Sequence, residues 1–376
     1  MRILVTGANG FIGKNLCQHL HEREGIELRT YTREDDPDDL PDLLRGVNWV
    51  VHLAGVNRPD DPKEFVDGNV VLTNTLCEAI AQESARRNDD HIPMIYASSI
   101  QASKNSPYGR SKQSAEQLLM HWQIKTGNPA YVYRLPNVYG KWCKPHYNSA
   151  IATFCHQIAR DLPVRIDEPA AVLDMVYIDD VVAMFMQLMQ GGKPIKDRNH
   201  RLWIYPTYRS TVGEIVEILK DFRAGRDNLT IDRVGDGMIR TLYATYVSYL
   251  PPTKFGYTVP CHADPRGEFV EMLKTPDSGQ FSFFTARPGV TRGGHYHHSK
   301  TEKFLVIQGR ARFRFRHILT NERHEIHASG KVPIIVETVP GWTHDITNIG
   351  DDDLIVMLWA NEVFDRERPD TWPCPL

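Results

Sequence analysis

Residues 289–309 read Gly-Val-Thr-Arg-Gly-Gly-His-Tyr-His-His-Ser-Lys-Thr-Glu-Lys-Phe-Leu-Val-Ile-Gln-Gly, and this stretch decides the fold of the carboxyl-terminal part of the chain. Side chains two positions apart on a β-strand share a face, so His295 and His297 can converge on one point. With Glu302 they supply most of the ligands of a divalent ion, and His344 is the candidate for the fourth. The stretch therefore predicts a metal site carried by strands, and zinc would suit it.

Short β-type runs surround this stretch after Pro260. Glycine, proline and asparagine turns separate the runs, and no long helical period interrupts them. Such a pattern predicts a β-sandwich or a barrel. The predicted strands include residues 280–285, 303–307, 311–315, 332–338 and 354–358.

The amino-terminal part has a different pattern, in which predicted strands alternate with helices. Three glycines, three residues apart, lie between a strand predicted over residues 2–6 and a helix predicted over 15–24. Glycines at this spacing let the backbone turn tightly and approach a pyrophosphate. Further strands over 48–54 and 93–99, with a helix around 69–84, complete the pattern of a doubly wound parallel sheet. The residues expected to hold a dinucleotide are Gly7, Asn9, Gly10, Phe11, Ile12, Gly13, Leu53 and Ala54, together with Arg33, Tyr108 and Lys112 further along the chain.

Arg33 follows the strand predicted over residues 27–31. A carboxylate after this strand would bind a ribose 2′-hydroxyl, whereas a guanidinium suits a 2′-phosphate. Arg33 therefore favours NADPH over NADH as the cofactor. The alternative is that Arg33 is a solvated charge in a loop.

A serine pair, Ser98-Ser99, precedes a tyrosine and a lysine four residues apart, Tyr108 and Lys112. Residues at this spacing share one face of a helix, so the ammonium can lie beside the phenol. We expect it to lower the pKa of the phenol, which then exchanges a proton with a carbonyl or alcohol oxygen while a hydride moves. A serine hydroxyl polarises the same oxygen.

These motifs, together with the segment Arg134-Leu-Pro-Asn137-Val-Tyr-Gly140, resemble the extended short-chain dehydrogenase/reductases that act on nucleotide-activated sugars. The resemblance covers the chain up to residue 240. It implies that Arg134 and Asn137 bind the substrate. It also implies a catalytic trio of Ser99, Tyr108 and Lys112, with Ser98 as the competing serine.

Leu173 departs from the pattern of that family, although the segment 173–181 otherwise resembles one of its elements. An arginine for the nucleotide diphosphate is usual at this position. His146, Arg160 and Arg209 are the possible substitutes.

Residues 289–309 fit the cupin pattern Gly-x5-His-x-His-x4-Glu-x6-Gly, and residues 340–348 resemble the second cupin motif with one residue missing. The segments 264–271 and 289–295 are also similar to elements of deoxysugar epimerases, cupins that act on 4-keto sugars. This resemblance implies that His295 removes a proton beside the ketone, while a donor or a metal ion holds the enolate oxygen. A lone pair bound to zinc cannot take a proton, so His295 is either ligand or base. The fuller ligand set favours the ligand, which leaves the base unidentified.

The two resemblances predict an NADPH-binding reductase domain over residues 1–245 and a cupin domain over 246–376. The expected fold class is a Rossmann-type doubly wound α/β sheet followed by an all-β cupin barrel. This order is similar to that of bifunctional enzymes of capsular polysaccharide synthesis.

That similarity implies two steps on a UDP-activated 4-keto-6-deoxy amino sugar. The cupin would epimerise UDP-2-acetamido-2,6-dideoxy-4-hexulose at C3, and the reductase would then reduce its C4 ketone to UDP-2-acetamido-2,6-dideoxy-L-talose. The pathway would be that of UDP-N-acetyl-L-fucosamine, for capsule or O-antigen. In two alternatives the protein is a reductase only, and its cupin is a metal-stabilised dimerisation module or a sugar-binding module.

The composition of the chain argues against several classes of partner. A net charge of −3 over 376 residues gives no sign of a nucleic-acid partner. No apolar run reaches the length of a membrane span. Six scattered cysteines without a Cys-x-x-Cys pair fit reduced thiols, and Met1 leads straight into a predicted strand, so we expect a cytoplasmic protein. We also expect a homodimer, because such barrels can pair through their edge strands.

Arg310, Arg312, Arg314 and Arg316 alternate with apolar residues, which on a strand gives one cationic face. A solvated outer face or a subunit contact is the first interpretation, and pyrophosphate binding is the alternative.

Overall fold

The computed structural model describes residues 1–88, 90–196, 202–367 and 369–376. Contacts divide these residues into two compact units. Unit 1 comprises Met1–Leu219 and Thr241–Leu250, and unit 2 comprises Lys220–Arg240 and Pro251–Leu376. Among the described residues, no helix combines the length and apolar character that a membrane span requires.

Unit 1 begins with alternating strands and helices, as the sequence predicts. Buried apolar residues of the strands and of three of the helices form one core, which includes Leu4, Val50, Ile80 and Leu119. The elements are β1 (Arg2–Thr6), α1 (Phe11–His21), β2 (Glu27–Tyr31), α2 (Leu40–Leu44), β3 (Trp49–His52), α3 (Glu64–Val66), α4 (Leu72–Arg86), β4 (Met94–Ser99), α5 (Pro107–Thr126) and β5 (Ala130–Leu135).

These five strands form a parallel sheet in the order β2-β1-β3-β4-β5. The chain passes from β1 to β2 on one side and then returns to β3 on the other side of β1. Ligands of such sheets bind beside the carboxyl ends of the strands at this reversal. The reversal therefore places the turn after β1 next to the segment after β3.

The rest of unit 1 adds a small sheet in the order β6-β7-β8. The helix α8 continues into unit 2, and α9 leads back into unit 1. The elements are β6 (Asn137–Tyr139), α6 (Ala150–Ile158), β7 (Val172–Tyr177), α7 (Ile178–Met189), β8 (Tyr208–Thr211), α8 (Val212–Asn228) and α9 (Gly237–Ser248).

Unit 2 consists mainly of two antiparallel sheets, in the orders β16-β13-β18-β11-β10-β9 and β15-β14-β17-β12-β19. Alternate side chains of both sheets form one apolar core, which includes Phe304, Phe313, Ile346 and Val356. The strands are β9 (Cys261–Asp264), β10 (Gly267–Lys274), β11 (Gln280–Ala286), β12 (Thr291–Tyr296), β13 (Glu302–Gln308), β14 (Arg310–His317), β15 (Arg323–Ser329), β16 (Ile335–Glu337), β17 (Trp342–Asn348), β18 (Leu354–Ala360) and β19 (Trp372–Pro373).

The predicted fold class is confirmed: a Rossmann-type α/β sheet precedes an all-β domain of the cupin type. Several boundaries differ from the predictions by a few residues, and two of these differences matter here. The helix predicted from Asn15 begins at Phe11, so Gly13 lies in its first turn. The strand predicted over residues 332–338 is confined to β16, because Pro333 has no N–H for a ladder hydrogen bond.

Candidate functional site

The turn between β1 and α1 is packed so closely that two positions require glycine. Gly7 has a φ of 69°, and a Cβ there would lie 2.6 Å from the Ala54 nitrogen. A Cβ at Gly13 would lie 2.2 Å from the Gly7 oxygen. Gly10 caps α1, whose first turn carries no acidic side chain. The free N–H groups of this turn can therefore bind a phosphate, and Leu53 and Ala54 lie at the adjacent strand end.

The remaining predicted cofactor residues occupy the same turn and the end of β2. Asn9 is exposed, whereas Phe11 and Ile12 are half-buried. Arg33 is exposed two residues after β2, and the Asp35 carboxylate accepts hydrogen bonds from the Thr32 nitrogen (2.6 Å) and hydroxyl (2.9 Å). Asp35 therefore binds the turn itself, whereas the side chains of Arg33 and Glu34 are exposed there and can meet a ligand.

The structure brings Ser99 and Tyr108 together. Ser106 caps α5 by accepting a hydrogen bond from the Gly109 nitrogen at 3.0 Å, which places Tyr108 in the first turn of the helix. Burial raises the pKa of the Tyr108 phenol above its ordinary value, and a hydrogen bond with Ser99 opposes that shift. The phenol is therefore protonated at neutral pH, as an acid that protonates a ketone oxygen must be.

Lys112 lies one turn further along α5 but bonds to other groups. Its Nζ donates to the Tyr96 hydroxyl at 3.3 Å and to the Ala97 carbonyl at 3.1 Å. Burial lowers the pKa of Lys112 to about 8, while the Glu116 charge acts in the opposite direction. We expected Lys112 to lower the pKa of Tyr108. In the structure Ser99 is the group that lowers this pKa.

A buried series of hydrogen bonds, which the sequence did not predict, leads to the partner of Lys112. The Thr6 hydroxyl bonds His52 Nδ1 at 2.7 Å, and His52 Nε2 bonds the Thr73 hydroxyl at 2.9 Å. Thr73 is also hydrogen-bonded to Tyr96, the partner of Lys112. Burial lowers the pKa of His52 to about 3, so the ring is neutral at pH 7. The histidine that ends β3 was the only sign of this series in the sequence.

Asn69 is a second residue that sequence reasoning missed. It lies in a turn of π-helix, Asp67–Val71, just before α4. Its Nδ2 donates to the Val56 carbonyl (2.9 Å) and to the Ser111 hydroxyl (3.0 Å), and its Oδ1 accepts from the Val56 nitrogen at 2.9 Å. Asn69 therefore ties the segment after β3 to α5 beside the tyrosine.

Ser98 and Arg134 meet at a different group. Ser98 donates to Glu116 at 2.5 Å, and the Arg134 guanidinium binds both carboxylate oxygens of Glu116 (2.9 and 2.5 Å). This geometry separates Ser98 from the tyrosine and occupies most of the guanidinium that we expected to bind substrate. Asn137 is exposed, and its amide donates to the Asp174 carbonyl at 2.9 Å.

The position usually held by arginine, Leu173, lies opposite Ser210 in the pairing of β7 with β8. Of the three possible substitutes, Arg160 donates to the Tyr249 carbonyl at 2.8 Å, and His146 packs edge-on against His156. The side chain of Arg209 is 74% exposed and lies 3.8 Å from Asp174.

In unit 2 the four predicted metal ligands come together. The candidate ligand atoms of His295, His297, Glu302 and His344 lie within 4.8 Å of one another. β12 carries the first histidine, β13 begins at the glutamate, and β17 carries the last histidine. The Nε2 atoms of His297 and His344 lie 3.3 and 3.6 Å from one Glu302 oxygen.

Two features of this cluster fit a divalent cation. The Glu302 carboxylate is buried, and although burial alone would raise its pKa, the hydrogen bonds from His297 and His344 hold it well below its ordinary value. The Nδ1 atom of His344 is buried and has no hydrogen-bond partner among the described residues. Three imidazoles and one ionised carboxylate are a donor set that suits zinc and other first-row divalent ions.

Lys300 is a further group that the sequence analysis did not single out. Its side chain is buried, and its Nζ lies 3.1 Å from the second Glu302 oxygen. Burial lowers the pKa of the neighbouring His295 to about 4, and the other two histidines add to this effect. His295 is the most accessible of the four clustered residues.

Three of the four arginines of β14 have contacts within unit 2. Arg314 pairs with the buried Asp345 (3.0 Å), Arg316 donates to the Pro375 carbonyl (3.0 Å), and Arg310 lies 3.9 Å from Asp351. The buried Nε of Arg312 has no hydrogen-bond partner among the described residues. The contacts of Arg314 and Arg316 indicate a structural role for these two arginines.

Comparisons with known proteins cover the whole chain. The NAD dependent epimerase/dehydratase family matches residues 3–200, and the polysaccharide biosynthesis C-terminal domain matches residues 262–372. A UDP-2-acetamido-2,6-beta-L-arabino-hexul-4-ose reductase of Pseudomonas aeruginosa is 59% identical over 100% of this chain and 98% of its own length. The solved structure of the capsular polysaccharide assembling protein CapF from Staphylococcus aureus superposes with a TM-score of 0.91 at 40% identity, with both chains fully covered. A dTDP-4-dehydro-6-deoxyglucose reductase of Escherichia coli is 26% identical over 49% of this chain and 71% of its own length.

The glycine turn yields a first prediction. Gly13→Ala places a methyl group against the Gly7 oxygen, so the turn must open and its N–H groups leave the position of the pyrophosphate. We expect the Kd for NADPH, measured by fluorescence titration, to rise at least about tenfold. Gly235→Ala is the control, because nothing lies within 4 Å of its added methyl group. Equal affinities of the two variants would contradict a cofactor site at this turn.

Proposed function

The chain belongs to the NAD dependent epimerase/dehydratase family and carries a polysaccharide biosynthesis C-terminal domain, and from that premise we propose that it is a bifunctional nucleotide-sugar enzyme. In general terms, its activity is that of an NAD(P)-dependent sugar-nucleotide reductase of polysaccharide synthesis. In the specific reaction that we propose, unit 2 epimerises UDP-2-acetamido-2,6-dideoxy-4-hexulose at C3. Unit 1 then reduces the C4 ketone to UDP-2-acetamido-2,6-dideoxy-L-talose, for UDP-N-acetyl-L-fucosamine in capsule or O-antigen.

The observation that carries the two-step proposal is the His295, His297, Glu302 and His344 cluster, on the same chain as a reductase site. A ketone makes the neighbouring C3 proton acidic, because the carbanion is delocalised as an enolate. After reduction this acidity is lost. Epimerisation must therefore precede reduction.

In the reduction, the Tyr108 phenol donates its proton to the C4 oxygen, and the Ser99 hydroxyl donates a hydrogen bond to the same atom. NADPH, when bound, supplies the hydride. The pKa of Tyr108, raised by burial, keeps the acid protonated before transfer. Lys112, which Tyr96 and Ala97 hold one turn further along α5, is proposed to add positive charge to the site. Arg33, exposed after β2, is proposed to bind the 2′-phosphate of NADPH.

In the epimerisation, His295, His297, Glu302 and His344 would hold a divalent ion, for which we propose zinc. When bound, the ion supplies Lewis-acid stabilisation of the enolate oxygen. As a ligand, His295 commits its lone pair to the ion, so another group removes the C3 proton.

We also propose a homodimer through unit 2. A row of apolar side chains crosses the outer face of the six-stranded sheet, from β16 through β13 and β18 to β11. In this row Ile335 pairs with Leu305, Leu305 with Met357, and Met357 with Phe283. Ile335 and Met357 are 56% and 38% exposed. A second copy of the chain would remove this apolar band from water.

The assigned acid gives a prediction for the reductase. Tyr108→Phe retains the ring but removes the proton, so reduction of the keto-sugar should slow by about 10²–10⁴-fold. NADPH affinity should stay near that of the wild type. Tyr131→Phe, at the amino-terminal end of β5, is the matched control. Substantial reduction by the Tyr108 variant would refute the assigned acid.

A solvent-exchange experiment tests the epimerase. The keto-sugar nucleotide is incubated with the protein in D2O without NADPH, and deuterium at C3 is followed by NMR. We expect exchange well above the enzyme-free control, abolished in His295→Ala and retained in His327→Ala, which alters an exposed histidine of β15. Wild-type exchange no faster than the enzyme-free rate would leave the protein a reductase with a dimerisation or sugar-binding module.

A further inference from the structure

Asp370 lies near the carboxyl terminus and caps the loop between two members of the metal cluster. Its Oδ1 accepts a hydrogen bond from the His298 nitrogen at 2.9 Å. Its Oδ2 accepts from the Ser299 nitrogen (2.7 Å), the Ser299 hydroxyl (3.0 Å) and the Lys300 nitrogen (2.8 Å). One carboxylate therefore orders the loop that joins His297 to Glu302.

The backbone of the same residue orients a ligand directly. The Asp370 carbonyl accepts a hydrogen bond from His297 Nδ1. A carbonyl can only accept, so Nδ1 carries a hydrogen, and this bond turns Nε2 towards Glu302, 3.3 Å away. Nε2 is therefore the atom of this ring that a cation in the cluster would bind. Metal-binding histidines commonly donate their second N–H to a carbonyl in this way.

The segment after Asp370 is attached to the strands that carry the other ligands. In β19, Trp372 and Pro373 pair with Tyr296 and His295 of β12. The Cys374 nitrogen donates to the Gly294 carbonyl at 2.8 Å, and the Cys374 carbonyl accepts from the Thr343 hydroxyl, beside His344. Movement of the tail would therefore reach three of the four cluster residues.

We propose that Asp370 is the positioning residue of the metal centre: its carboxylate and carbonyl together fix the His297 tautomer and the path of the chain to Glu302. This inference rests on the proposed metal site and extends it to the carboxyl-terminal segment. Asp370 does not touch the ion. It acts through His297 and through the loop 298–300.

The four donors around Asp370 require a side chain with two acceptor oxygens. All four groups that bond to it are N–H or O–H donors, and Oδ2 alone receives three of them. In Asp370→Asn an amide NH2 would replace one acceptor oxygen and face donors in its place. That variant retains the size of the side chain and removes part of the cap, whereas Asp370→Ala removes the whole side chain and the whole cap.

The experiment uses the full-length protein, stripped of metal and titrated with Zn²⁺ in competition with a chromophoric chelator. We expect Asp370→Ala and Asp370→Asn to raise the Kd for zinc by about 10–100-fold. Glu367→Ala, which removes an exposed carboxylate of the same segment, should leave the Kd at the wild-type value. The unfolding temperature of each metal-free protein and the visible spectrum of each Co²⁺ form are recorded alongside, and the two Asp370 variants should show an altered spectrum.

The outcomes separate this inference from the metal site itself. If the wild type takes up no zinc, the metal centre is wrong and the inference falls with it. If the wild type binds zinc and both Asp370 variants bind it equally well, Asp370 only stabilises the fold, even if their metal-free forms unfold at lower temperature. A raised Kd in Asp370→Asn, whose metal-free form unfolds at the wild-type temperature, supports the positioning role.

Discussion

The buried carboxylate of Glu302 is the constraint on which unit 2 depends. Placing an ionised carboxylate in an apolar interior is costly unless partners compensate its charge. Here the Nε2 atoms of His297 and His344 and the Nζ of Lys300 converge on its two oxygens. Strands from both sheets must meet at this point for the charge to be compensated. The barrel therefore supports the site, and a divalent cation would complete the compensation.

Unit 1 also buries a charged group, the Lys112 ammonium, and surrounds it with neutral hydrogen-bond partners. Lys112 is buried beside Tyr96, and the series of hydrogen bonds through Thr73 and His52 continues to Thr6, directly before the glycine turn. Burial keeps His52 neutral, so the series brings no second cation close to the lysine. The strand that leads into the glycine turn and the helix that carries the proposed acid are thus held by one hydrogen-bonded network.

The sequence predicted those parts of the molecule that depend on residues only a few positions apart in the chain. The glycines at 7, 10 and 13 located the tight turn between β1 and α1, and the alternation of His295 with His297 placed both side chains in one cluster. Contacts set by tertiary packing were not predictable. Arg134 was expected to bind substrate, but Glu116 on α5 holds its guanidinium, and Asp370 belongs to no motif at all. The roles assigned to the site residues remain predictions.

We propose that one chain first inverts C3 of the sugar and then reduces its C4 ketone. The most direct measurement runs the complete reaction with NADPH in D2O and locates the isotope in the product by NMR. The account predicts deuterium at C3 with inverted configuration, and hydrogen, transferred from NADPH, at C4. A reduced product that retains hydrogen and the original configuration at C3 would contradict it.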